Sequence, residues 1–152
     1  MNTDDRPVLA ANFDYDLWAN LKWLEFLQAE GTDGEKEVFG HILMAGSLWA
    51  SRVNGDSPSA IPIIPLTTEA LQTNHSLWIG LIETHAWDHI IPYRRLNGEA
   101  QSLPFGEIAL HVANHGTYHR GHLRGLCQAR GCGSFPETDR MLFSLKRLPP
   151  SP

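Results

Sequence analysis

The chain has 152 residues, enough for one ordinary domain with its own core. Hydrophobic residues make up 42% and charged residues 19%, the balance of a globular protein, and a formal net charge of −5 without any basic run excludes general attraction to nucleic acid or anionic membrane. The opening MNTDDRPVLA is acidic and has no apolar signal core, no apolar run approaches the roughly 20 residues of a membrane span, and Cys127 and Cys132 alone make no secreted disulfide framework, so a cytoplasmic protein is expected.

In chain order, residues 8–29 predict a first helix, with Phe13, Leu17, Leu21 and Leu24 recurring at threes and fours and Gly31 and Gly34 ending it. Glu35 to about Asn54 is a second helix, with Val38, Ile42, Ala45, Trp49 and Val53 on one stripe. The stretch GDSPSAIPIIPL is too rich in proline to continue it. Thr67 or Thr68 caps a third helix running to about His85. Asn97-Gly98 between β-prone runs signals a hairpin, with Pro92 marking an exposed edge. Pro104 stands near the start of a long fourth helix that ends around Arg130, before Gly131 and Gly133, and a short helix over about 136–146 follows. There are no internal repeats. The expected fold is all-α, a four-helix bundle over 1–152 as one domain, with a small β-hairpin before the last long helix.

Two residue types stand out: eight histidines, four of them within His111–His122, and five tryptophans. With His111 set at zero on the fourth-helix wheel, Ile108, Val112, Phe105 and Leu123 fall between about 60° and 120°, while His115 and His119 lie near about 40° and 80°. His111 and His122 fall at the edge of that arc. Side chains four apart on a helix are neighbours, so His115 and His119 can converge on one ion. A metal also satisfies imidazole nitrogens that would otherwise face a core unpaired. His41, beside the inward stripe of the second helix, is the candidate third ligand. Taken alone it reads as a hydrogen-bonded core histidine; the pair on the fourth helix makes it a ligand candidate. His85 and His89 are a rival pair at the same spacing, but Trp87, Asp88 and the IIPY run suggest that the helix has ended there. His75 stands alone. Trp18, Trp23, Trp49 and Trp78 read as packing, Cys127 as a small residue off the histidine face, Arg120 as solvated, and Gly121 as a point of close helix contact.

NHGTYHRGH (114–122), preceded by PFGEIALHVA (104–113), resembles the last-helix signature of the DinB/YfiT-like superfamily, closest to its DinB branch. GHILMAGSLW (40–49) resembles that family's second-helix histidine motif, LWAN (17–20) its first-helix signature and ETDRMLFSL (137–145) its C-terminal segment. The resemblance implies a four-helix bundle with a hairpin before the last helix, metal ligands at His41, His115 and His119, a homodimer, and zinc, nickel or a similar divalent ion, with iron or manganese as further alternatives. It also implies a thiol-dependent enzyme, since characterised members include thiol S-transferases and thiol-dependent isomerases. Two departures from the family pattern are His122, where Gln is common, and Gly46, at a position that is often acidic.

Three protein ligands leave a position open for substrate, the mark of a catalytic site. A cation there favours a thiolate over a thiol, so the expectation is S-transfer from a low-molecular-weight thiol cosubstrate. Asn114 is a candidate supporting group, and His111 or His122 a candidate proton relay. Metal-dependent hydrolysis, or a non-catalytic metal-binding or stress-response interaction protein, are the alternatives. The tryptophans and aliphatic residues exceed what one small bundle needs to bury, which also suggests a two-fold homodimer.

Overall fold

The computed structural model describes residues 5–147; the acidic opening at 1–4 and residues 148–152 lie outside them. The elements are α1 (Arg6–Glu30), α2 (Asp33–Val53), α3 (Thr68–Thr84), β1 (Ile90–Arg94), β2 (Ala100–Pro104), α4 (Phe105–Ala129) and α5 (Arg140–Arg147). The protein is thus mostly helical with one small antiparallel hairpin. Helix α4 packs against α2 and α1, and α3 packs against the same two helices. Among the described residues no helix is long and apolar enough to cross a membrane.

The expected boundaries hold to within a few residues because the local signals are strong. Thr32 begins α2 with a capping box: its side chain accepts from the Glu35 N–H, and the Glu35 carboxylate accepts from the Thr32 N–H. Thr67 caps α3 by accepting from the Ala70 N–H at 3.1 Å. Gly98 takes the positive φ of 85° that the hairpin turn requires, and β1 pairs with β2 in the register Ile91↔Leu103. Two backbone bonds then fix the start of α4, from the Phe105 N–H to the His89 carbonyl and from the Gly106 N–H to the Trp87 carbonyl.

The core is divided. One apolar cluster gathers Leu9 and Phe13 of α1, Ala50 and Val53 of α2, Trp78, Leu81 and Ile82 of α3, and Phe105, Ile108 and Val112 of α4. The other gathers Trp23, Leu24 and Leu27, then Phe39, Ile42 and Leu43, then Leu71, then Leu123 and Cys127. Each long helix therefore feeds one cluster from one end and the other cluster from the other end. Between them, at mid-helix, stand Asp16 and Asn20 on α1, His41 on α2, Asn74 on α3, and His115, His119 and Arg120 on α4. Two well-packed apolar ends hold this polar middle layer in register.

All five tryptophans pack within the chain. Trp23 and Trp78 are fully buried, Trp49 and Trp87 lie against the first cluster, and Trp18 sits among Tyr15 and Phe143. The tryptophans thus find intrachain neighbours, whereas Val8, Ile63 and Met141 are among the large apolar side chains left exposed.

Candidate metal centre

Helix α4 projects His115 and His119 from one face, one turn apart, with ring centroids 4.4 Å from each other. From α2, His41 meets both, at 5.0 Å from His115 and 4.7 Å from His119. One ring nitrogen from each of the three lies within 4.8 Å of the others, close enough to hold a metal ion. Among the described residues this is the one such group of three or more His, Cys, Asp or Glu side chains.

The donor chemistry fits a transition-metal ion. His115 Nε2 and His119 Nδ1 are buried and make no hydrogen bond among the described residues. Leaving such groups unpaired costs about 1–3 kcal/mol each, so their placement asks for a ligand. Burial, with His119, His41 and His111 adding their charges, holds His115 well below the ordinary imidazole value, at about 4. Burial lowers His119 as well, helped by His41 and His122. Both rings are therefore neutral at neutral pH, the form that donates a lone pair to a metal. His41 is exposed at the mouth of the site, so the group opens to solvent on the α2 side.

The remaining histidines stay outside the group. His111 is exposed, with its ring 5.4 Å from Trp49 and 5.5 Å from His115. His122 is exposed on the rim, 6.5 Å from His119. His75 pairs with Asp14 at 2.9 Å. His85 and His89 do approach, at 5.4 Å between rings, but His85 ends α3 and stacks on Phe105, and no third ligating side chain joins them among the described residues. Asn114 is exposed and lines a separate cavity with Tyr15, Thr117 and Arg120.

Arg120 corrects its expectation as a solvated residue: it is only 3% exposed. One guanidinium nitrogen donates to both Asp16 and Asn20 of α1, and the other donates to Thr117. The Asn20 amide also donates to Asp16 at 2.9 Å. The close helix contact falls at Gly116, where a β-carbon would run into the Asp16 carboxylate; at Gly121 a β-carbon would meet nothing within 4 Å. Asn20 belongs to LWAN and both Arg120 and Gly116 to NHGTYHRGH, so the two motifs themselves carried the signal for this pairing. At Gly46 the space is taken by α3: a β-carbon there would stand 2.7 Å from Asn74 Oδ1.

Cys127 is fully buried in the second apolar cluster and donates to Glu35 at 3.5 Å, away from the histidines. Burial and the Glu35 carboxylate push its thiol up to about 12. Comparison with protein-family models, with curated proteins and with solved structures gives no significant match.

Proposed function

We propose that this protein is a DinB/YfiT-like four-helix bundle that holds one divalent transition metal on His41, His115 and His119 and promotes transfer of a thiol sulfur to an electrophile. The carrying observation is the convergence of three ring nitrogens within 4.8 Å. Two buried, unpaired imidazole nitrogens in the same group support it. Zinc and nickel suit such a donor set, and iron or manganese are the alternatives. When bound, the ion would favour the ionised form of a thiol and bring it beside an electrophile.

The chain's own part is positional. His115 and His119 are fixed by α4, between two apolar clusters, and are kept neutral by burial. Asp16 and Asn20 hold α4 against α1 through Arg120, the residue next to His119. His41 closes the group from α2 and leaves its solvent side open to substrate. In the overall reaction R–SH and R′–X give R–S–R′ and HX, with the proton leaving the thiol and X leaving the electrophile. The thiol comes from a cosubstrate, because Cys127 is buried and its pKa is pushed to about 12.

The test is turnover of metal-loaded protein with and without an added thiol. Turnover should require both metal and thiol and should survive a Cys127→Ser, Cys132→Ser double variant. Turnover without thiol would mean hydrolysis instead. Failure of every thiol and electrophile pair in fully metal-loaded protein would favour a non-catalytic metal-binding module. The family resemblance further supports a homodimer, which light scattering across a dilution series tests; a monomer mass at micromolar concentration contradicts it.

A further inference from the structure

We infer that the cleft beside His41 and His119 is an acceptor subsite for an uncharged aliphatic or aryl electrophile, with the α2–α3 connection as its wall. This rests on the metal-dependent reading above and adds the substrate class to it. The cleft has a volume of about 620 Å³, room for a small molecule. It shares His41 and His119 with the metal-ligand group, and His122 stands beside them. Whatever binds at the open side of that group therefore extends into this space.

Apart from Glu37, the remaining side chains of the wall are apolar. Val38 and Met44 come from α2, and Ile61, Pro62, Ile63 and Ile64 from the connection. Ile61 is 53% exposed and Ile63 98% exposed. An apolar side chain standing in water at the mouth of a site gains by contact with an apolar ligand. Pro58, Pro62 and Pro65 punctuate this segment, and each proline fixes a backbone angle, so little chain freedom is lost when a ligand settles against it.

Charge narrows the class. Among the described residues Glu37 is the one with a formal charge lining the cleft, and no Lys or Arg lines it. An anionic substrate tail would find no partner there and would be repelled by Glu37. The contrast lies across α4, where the separate cavity is lined by Arg120, Arg124 and Arg140. Three arginines and one carboxylate, Asp139, line that cavity, whereas mainly apolar side chains stand beside the histidines.

The experiment uses n-alkyl hydroxamates, which carry a metal-chelating head and a tail of variable length. Zinc-loaded full-length protein is titrated calorimetrically with the series from acetohydroxamate to octanohydroxamate and with an ω-carboxylate analogue. Affinity should rise about fourfold for each methylene that becomes buried, and the terminal carboxylate should abolish the gain. Ile63→Asp, in an exposed segment, should flatten the chain-length dependence without lowering the melting temperature. Acetohydroxamate binding with no dependence on chain length overturns the apolar subsite while leaving the metal reading intact. Absence of acetohydroxamate binding contradicts the metal reading; the cleft is then judged on metal-free protein, from the methyl resonances of Ile61, Ile63 and Ile64 on adding octan-1-ol. Shifts confined to those methyls support the subsite, and their absence overturns it. A change of molecular mass in Ile63→Asp, with no chain-length dependence in the parent, would assign the face to a second copy of the chain and equally overturn the proposal.

Discussion

The Arg120 guanidinium on α4 donates to the Asp16 carboxylate on α1, and the pair is almost wholly removed from water. Asn20 shares the same guanidinium nitrogen at 2.8 Å. This contact sits at the level of the histidine group, one residue after His119, and joins the two helices behind it. Breaking a buried pair leaves an uncompensated charge and costs about 3–5 kcal/mol. Arg120→Met should therefore lower unfolding free energy by about that amount. Removing both charges in Arg120→Met, Asp16→Leu should recover much of the loss. Chemical denaturation of the three proteins measures it; equal stability of the single variant and the parent would show that the pair contributes nothing.

Two glycines of α4 should respond in opposite directions to alanine. At Gly116 a β-carbon meets the Asp16 carboxylate, so Gly116→Ala should destabilise by about 1–3 kcal/mol through overpacking. At Gly121 the space is open, and Gly121→Ala should stabilise by about 0.5–1 kcal/mol because alanine favours the helix. Thermal melts of the two variants decide it, and a shared sign would contradict the packing described for α1 and α4.

Acid should weaken the metal-free protein. His115 is held at about 4 by burial and by the imidazoles around it, against about 6.5 for an ordinary histidine. Between those values the unfolded chain binds the proton and the folded chain does not, so stability falls as pH drops from about 6.5 to about 4. Lowering of His119 acts in the same sense. The same shift bears on metal binding. At pH 5.5 a metal should displace fewer protons than three ordinary imidazoles would release. Calorimetry in two buffers of different ionisation enthalpy counts them. Release of close to three protons would mean that the histidines are not desolvated as described.

Much of the site was legible because it follows helical period. His115 and His119 share a face by spacing alone, and His41 adjoins the apolar stripe of α2. The position of that face within the buried arc was less legible. The wheel of large apolar residues centred the core near about 90°, whereas Ala109, Gly116, Arg120 and Cys127 carry the buried surface on to about 180°. Small residues and one arginine extend it, because α4 packs on α1 as well as on α2. A guanidinium reads as solvated until its partner is known, and Asp16 lies 104 residues away. Cleft walls such as Ile61 and Ile63 were hidden for a related reason: a proline-rich connection has no periodicity to say which side it lies on. The pairing of tryptophans with intrachain neighbours was equally beyond reach of a count, since Trp18 finds its cover on α5.

The most direct test of the three-histidine centre is metal stoichiometry and affinity, measured by atomic spectrometry and competition titration on the parent, His41→Ala, His115→Ala, His119→Ala and His111→Ala. The parent should bind one ion per chain. Each of the first three variants should lose more than about 100-fold in affinity, beyond the roughly 10–100-fold that loss of a supporting contact costs, while His111→Ala stays close to the parent. Metal retained at parental affinity by the His115 and His119 variants, or lost in His111→Ala alone, would contradict the assignment.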